Sequence, residues 1–251
     1  MNVLTPKTTA EVFCNCKIES YPKFKKITIA NRPVFKDKAW ECRKATTKGT
    51  EKRISSDNAP QLRSVHRAKK KIFDIAALNA FDYFVTLTLD PRCINRENPR
   101  EVAKKLKTFL AHKVTRKSWS YVLVPEYHKD QKGIHLHGLI SGNIQLKDSG
   151  MKTKEGKTVY NLPEWNYGFS TCIELSGEKK FVSRYITKYI SKDFKKIFGN
   201  FYYAGGKLLR RPPTTYTNAD YDNIDAKVYE VNEIGVSFKY VEVEGGEESE
   251  A

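Results

Sequence analysis

Hydrophobic and polar positions alternate with two different periods along this 251-residue chain, and those periods predict its elements. Over residues 81–90, Val85, Leu87 and Leu89 alternate with Phe84, Thr86, Thr88 and Asp90. A period of two predicts a strand with one aliphatic face and a second face carrying two hydroxyls and a carboxylate. Residues 118–127 and 133–141 predict two further strands, joined by a polar turn of hairpin length, His128 to Lys132. Residues 165–175 predict a fourth strand, interrupted by Gly168, and residues 201–203 a short strand or turn. A brief alternation of Phe24, Ile27 and Ile29 predicts a strand within 21–35, and residues 226–243 a terminal hairpin turning near Gly235.

Three stretches follow the helical period instead. Leu62, Val65, Ile72, Ile75, Ala76 and Leu78 predict a helix over 61–80, introduced by Pro60. Val102, Leu106, Phe109 and Leu110 predict another, opened by Asn98 and Pro99. Residues 181–194 predict a third, with Val182, Ile186, Ile190 and Ile197 in one stripe. Tyr185, Lys188, Tyr189 and Lys192 share a different stripe roughly 100° wide. Taken alone, that helix is amphipathic with two half-buried tyrosines. Residues 143–163 are polar and rich in Gly and Lys, and predict a long loop. The expected fold is α+β, a central antiparallel sheet of about five strands with helices packed on it. The expected division is a basic extension over 1–60, a main domain over 61–220, and a hairpin with an acidic tail, disordered from 245, over 221–251.

Charge narrows the function. The formal net charge is +16. Residues 1–72 hold 18 Lys+Arg against 6 Asp+Glu, residues 73–219 hold 25 against 13, and residues 220–251 hold 2 against 10. A body this basic implies a polyanionic partner. No basic amphipathic helix with a strong aromatic face points to a membrane surface, so nucleic acid is the favoured partner. The extension is then either an arm on phosphate backbones or a solvated chain. Arg63, Arg67 and Lys69, which crowd the first helix with Lys70 and Lys71, make either a phosphate-contacting face or a solvated one. Arg184 and the loop residues Arg210 and Arg211 join the candidate DNA contacts. No apolar run is long enough to span a membrane, and no secretory leader is visible, so a cytoplasmic protein is expected. Five cysteines without CxxC spacing are expected to be reduced thiols rather than a zinc site.

Candidate chemistry centres on the predicted hairpin. His135 and His137 lie at i and i+2, so a strand puts both imidazoles on one face while Ile134, Leu136 and Ile140 pack on the other. A turn centred between Asp130 and Gln131 places Glu126 opposite His135 and diagonal to His137. Two imidazoles and a carboxylate suit a divalent ion such as Mg²⁺ or Mn²⁺. A one-residue slip of register turns Glu126 away. A phenol has a pKa near 10 and needs help as a nucleophile. A metal-bound phosphodiester and neighbouring lysines supply that help, and the product is a covalent phosphotyrosine. Two tyrosines on one face allow two successive transfers.

The ordered set FVTLT (84–88), GIHLHGLI (133–140) and YITKYISK (185–192) resembles the three motifs of rolling-circle replication initiators of the HUH endonuclease superfamily. Its paired tyrosines are most similar to the initiators of small single-stranded DNA phages of the microvirus type. The resemblance covers about residues 80–195. It implies an antiparallel sheet backed by helices and related to RNA-recognition-type folds. It implies His135, His137 and Glu126 as metal ligands, Tyr185 and Tyr189 as nucleophiles, Lys188 and Lys192 as phosphate-positioning groups, and Thr86 and Thr88 near the site. No Walker A sequence is present, so no nucleotide cofactor site is expected, and unwinding and synthesis would need a host helicase and polymerase. A transposase or relaxase would use the same chemistry. A non-catalytic module that binds single-stranded nucleic acid would use the same basic surface, with the tyrosines as core or stacking platform.

Overall fold

The computed structural model describes residues 13–36, 59–127, 133–175, 179–189, 196–197, 199–231 and 235–244. In chain order the elements are β1 (Phe13–Cys14), β2 (Cys16–Tyr21), β3 (Phe24–Ala30), β4 (Phe35–Lys36), α1 (Ala59–Leu78), β5 (Tyr83–Thr88) and α2 (Pro99–Lys117). They continue with β6 (Ser120–Tyr127), β7 (Ile134–Ser141), β8 (Lys147–Lys152), β9 (Thr158–Asn161), β10 (Ser170–Glu174) and α3 (Lys179–Ile186). A 3₁₀ turn (Thr187–Tyr189), β11 (Tyr203–Gly205), β12 (Thr214–Thr217), β13 (Val228–Val231) and β14 (Val236–Glu244) complete the order. The chain divides into two compact units, Ile54–Arg211 and a second formed by Met1–Arg53 with Pro212–Ala251.

The first unit is built on an antiparallel seven-stranded sheet in the order β11-β6-β7-β5-β10-β9-β8. The strand period of two sorts its side chains into two cores. Val85, Leu87, Leu123, Leu136 and Ile140 face α2 and pack with Val102, Leu106 and Leu110. Val122, Val124 and Leu139 point the other way and pack with Val65, Ile72 and Ile75 of α1 and Ile186 of α3. The aliphatic face expected for β5 is therefore the face that meets α2. The second helix starts where Asn98 and Pro99 direct it: the Asn98 side chain accepts from the Glu101 amide at 3.2 Å, and proline loses no helical hydrogen bond in the first turn. Gly138 has no room for a side chain, because an added Cβ would overlap the Val122 carbonyl oxygen and the Leu123 side chain.

The expected α+β fold with an antiparallel sheet and packed helices is the one observed. The sheet has two more strands than expected, because β8 and β9 occupy the stretch expected to be a loop. β8 is almost wholly exposed, and Val159 is the buried residue of β9. An edge hairpin solvated on both faces shows no hydrophobic alternation for the sequence to reveal. Asp90 also departs from expectation. It lies past the end of β5, in a turn where it accepts from the Arg92 backbone at 2.8 Å and the Arg92 guanidinium at 2.7 Å. The carboxylate expected beside Thr86 and Thr88 is thus committed to a turn.

The second unit has an antiparallel five-stranded sheet in the order β12-β2-β3-β14-β13, and β1 pairs with β4. β3 contains the expected Phe24, Ile27 and Ile29, and the terminal hairpin closes with Val231 opposite Val236 and Gly235 at φ 59°. Residues 16–30 pair with residues 214–217 and 238–244, so what the sequence separates into an extension and a tail shares one sheet. Pairing between segments this far apart leaves no local trace in either. Among the described residues no helix is long and apolar enough to cross a membrane, and the four described cysteines are free thiols.

Two outcomes test this packing. Gly138→Ala forces the β6–β7 ladder apart and is expected to cost ~1–3 kcal/mol, measured as a lower denaturation midpoint. An unchanged midpoint would refute the close approach. The Arg92 hydrogen bonds hold the Asp90 carboxyl down at about 2 against an ordinary 3.8. A depressed carboxyl stabilises the fold above its unfolded value, and that contribution is lost as pH falls toward the folded one. Wild type should therefore melt above Asp90→Asn at neutral pH, with the gap closing between pH 3.8 and 2. A gap that does not vary with pH would show that the carboxylate charge is not its source.

Candidate functional site

The register of three adjacent strands assembles the site. β6 pairs with β7 so that Glu126 faces His135 and Val124 faces His137. That is the register expected from the hairpin turn, although the turn itself, 128–132, lies outside the described residues. β5 flanks β7 on its other side, with Thr86 opposite His137 and Thr88 opposite His135. Period two then puts Glu126, His135, His137, Thr86 and Thr88 on the sheet face shared by α1 and α3. Val122, Leu139 and Phe84 occupy the apolar end of that face.

Each histidine is held from behind by a threonine. Thr86 Oγ1 lies 3.2 Å from His137 Nδ1, and Thr88 Oγ1 lies 3.0 Å from His135 Nδ1. A hydroxyl both donates and accepts, so either tautomer is accommodated. The threonine pairing commits Nδ1 and leaves Nε2 as the outward nitrogen. His137 Nε2 sits 3.3 Å from Glu126 Oε2. Burial, and then the neighbouring His135, push the His137 imidazole down to about 4. The ring is therefore neutral at physiological pH, so the Glu126 contact is not a full ion pair. Burial raises the Glu126 carboxyl.

The tyrosine helix closes over this face. α3 ends at Ile186, which is fully buried, and the 3₁₀ turn carries the chain on to Tyr189. Residues 190–195 lie outside the described residues, so the expected helix is seen only to 189, and Lys192 and Ile190 are not placed. The Tyr189 ring stacks on His137 with centroids 4.0 Å apart and planes at 19°. Its hydroxyl donates to the Tyr185 oxygen at 2.6 Å. Phe84 supports both phenols, edge-on to Tyr185 at 5.5 Å and tilted to Tyr189 at 6.0 Å. Tyr185 is 46% exposed, whereas Tyr189 is half-buried. Burial raises the Tyr189 phenol, and the Tyr185 hydrogen bond and the Glu126 charge raise it further. Lys188 Nζ lies 5.7 Å from the Tyr185 ring centroid, in cation–π range.

The structure thus brings together Glu126, His135, His137, Thr86, Thr88, Tyr185, Tyr189 and Lys188. Thr86 and Thr88, proposed as DNA contacts, have their hydroxyls on the histidine rings. Phe84 is an addition that β-strand parity alone would have nominated. The cations lie in several places. Arg63 and Arg67 are exposed one turn apart on α1, while Lys69 is half-buried about 200° round the helix from Arg67. Arg184 is exposed on α3, Arg211 is exposed, and Arg210 donates to the Ala204 carbonyl at 3.3 Å.

The donor set fits a metal ion in part. Two ligand atoms each about 2.1 Å from one ion stand about 3–3.4 Å apart, and the His137 and Glu126 atoms meet that spacing. His135 stands back, its ring centroid 5.9 Å from that of His137. Among the described residues no group of three His, Cys, Asp or Glu side chains is close enough to hold an ion together.

Residues 82–194 match the family model described as replication-associated protein ORF2. The matched stretch begins one residue before β5 and includes Glu126, His135, His137, Tyr185 and Tyr189. No curated protein and no solved structure matches the chain. The family match supports a role in the initiation of DNA replication, with DNA as partner.

Thr86→Val keeps the side-chain shape and removes the hydroxyl. It should change the His137 tautomer balance, read from imidazole ¹⁵N shifts in the metal-free protein, and lower stability by about 1 kcal/mol. Unaltered His137 shifts would mean that Thr86 does not orient the ring.

Proposed function

We propose that the protein is a site-specific nickase and strand transferase for single-stranded DNA, of the HUH initiator type with paired tyrosines. It would start and finish rolling-circle replication in a host cytoplasm, leaving unwinding and synthesis to a host helicase and polymerase. The observation that carries this reading is the stacking of Tyr189 on His137, with its hydroxyl bonded to Tyr185. Two phenols meet a His–Glu donor pair on one sheet face. A core role for the tyrosines accounts poorly for the exposure of Tyr185 or for four polar side chains beneath them.

Glu126 and His137 would hold a divalent ion, Mg²⁺ or Mn²⁺. His135 would complete the set once the Glu126 side chain, 37% exposed, swings toward its own cross-strand partner. When bound, the ion makes phosphorus more electrophilic and offsets charge in the transition state. The chain's own groups do the rest. The threonines fix the imidazoles with Nε2 outward. Burial keeps His137 neutral, so that its lone pair is available. A tyrosine oxygen attacks the scissile phosphorus, forming a bond to the 5′-phosphate and breaking the bond to the 3′-oxygen. The phenol loses its proton and the departing 3′-oxygen gains one. One phosphodiester replaces another, so the bond is conserved for rejoining. The raised Tyr189 phenol is a poor nucleophile without a cation, which gives Lys188, and Lys192 by the same spacing, a role in favouring phenolate and steadying phosphate. The second tyrosine accepts the next strand.

The test is a covalent adduct. Wild type incubated with Mn²⁺ and labelled single-stranded oligonucleotides, including the native origin, should give a protein–DNA band on a denaturing gel. Tyr185→Phe/Tyr189→Phe should give none. His135→Ala or His137→Ala should lower cleavage at least ~10²-fold while keeping most salt-sensitive DNA binding. No adduct from wild type on any sequence would sink the proposal. Binding that falls in step with cleavage would remove the two histidines as dedicated ligands.

A further inference from the structure

A second polar concavity of the same unit lies on α1 and the segment that follows α3. It encloses about 400 Å³, within the range of sites that hold nucleotide-sized ligands. Arg67 and Lys71 enter it from adjacent turns of α1, Lys196 from the segment leading to β11, and Arg210 from the loop after β11. Ser64 and Tyr202 add a hydroxyl and an aromatic ring to the lining. No carboxylate lines it.

That charge pattern is costly to leave without an anion. Four like charges around one small volume repel each other, and the partly desolvated walls strengthen the repulsion. The neighbouring α1 lysine shows the usual remedy: Lys70 is paired with Asp74 at 2.6 Å. Among the described residues, none of the four pocket cations has such a carboxylate. Lys196 instead lies 5.5 Å from the Phe201 ring, and Arg210 is steadied by the Ala204 carbonyl. The pocket cations are thus held in place by neutral partners, with their charge left for a ligand.

We infer that this pocket is a phosphate subsite that takes one or two successive phosphodiesters of single-stranded DNA away from the tyrosines, an inference that rests on the nicking reading only for the identity of that strand. Two features favour a strand over an isolated anion. Aromatic residues stand beside the cations, the combination by which single strands are held through backbone and base at once. The opposite face of α1 also packs Val65, Ala68 and Ile72 in one core with Ile186 and Val182 of the tyrosine helix. A single rigid helix therefore supports both the nucleophiles and the pocket, so a strand held in the pocket stays in fixed relation to the tyrosines. None of Lys71, Lys196 and Tyr202 stands out in the sequence, where they are separated by up to 131 positions.

The experiment measures binding rather than cleavage. Fluorescence anisotropy with labelled oligo(dT) of about 16 nucleotides compares wild type with Arg67→Gln/Lys71→Gln and with Lys196→Gln/Arg210→Gln over a salt series. Each pair should weaken binding about tenfold at low salt and make the slope of log K against log salt shallower by about 0.7–1.4, one or two single-strand phosphate contacts. The charge-retaining Arg67→Lys/Lys71→Arg should restore affinity and slope. Two pairs that fold, by circular dichroism, and bind with the wild-type affinity and slope would overturn the inference. If one pair misfolds, the other decides alone. Inorganic phosphate or dTMP that displaces the oligonucleotide at equal phosphate concentration would make the pocket a free-anion site and overturn the assignment to DNA. A wild type that forms no tyrosine adduct yet shows these pocket-dependent slopes would refute the nicking reading and leave the pocket standing.

Discussion

The pairing of β7 with β6 on one side and β5 on the other is the constraint on which the rest depends. Side chains in a sheet alternate with a period of two, so register decides which face each residue joins. With Glu126 opposite His135 and Thr88 opposite the same histidine, three strands contribute to one polar patch. A slip of one residue on β6 would exchange Glu126 for Pro125 or Tyr127 and bury a carboxylate against α2. Gly138 lies in the middle of this ladder, where β6 approaches too closely for any side chain.

The two faces of the sheet divide the labour. The α2 face is apolar from end to end, closed by Trp119 and Trp165 and by a buried Lys113 that meets Glu164 at 2.8 Å. The other face changes character along its length. At one end Val122, Leu139 and Phe84 pack under α1. At the other, threonines, histidines and a glutamate lie under the last turn of the tyrosine helix. The apolar end anchors α3 through the fully buried Ile186, and the residues around it carry Tyr185 and Tyr189 over the polar end. Burial then sets the protonation states. It favours the uncharged form of the groups it shifts in the patch, lowering His137 and raising Glu126 and Tyr189. The site at rest is poor in charge on a protein that is rich in it. A cation and a phosphodiester would arrive together in a place where neither has a competing partner.

Much of this was legible in the chain itself. His135 and His137 share a face by parity. The length of the 128–132 turn was enough to pair Glu126 with His135, because hairpin register follows from turn length once both strands are recognised. The helix over Tyr185 and Tyr189 and the terminal hairpin at Gly235 carry local signals of periodicity and turn chemistry. These features involve residues close in sequence, where pattern and neighbour geometry coincide.

What the sequence determined is therefore the set of local elements and the chemical character of each face; which faces meet was decided by tertiary structure. Thr86 and Thr88 became histidine partners only because β5 lies beside β7 rather than elsewhere in the sheet. Asp90 was lost from the polar face because Arg92, two residues on, competes for it in a turn. The polar strands β8 and β9 and the union of residues 16–30 with 214–244 rest on backbone pairing, which is nearly indifferent to side-chain identity and so leaves little imprint on composition. The basic pocket needs Arg67, Lys196 and Arg210 to converge from three segments. Long-range convergence is settled by which packing buries the most apolar surface, a property of the whole fold rather than of any stretch of it.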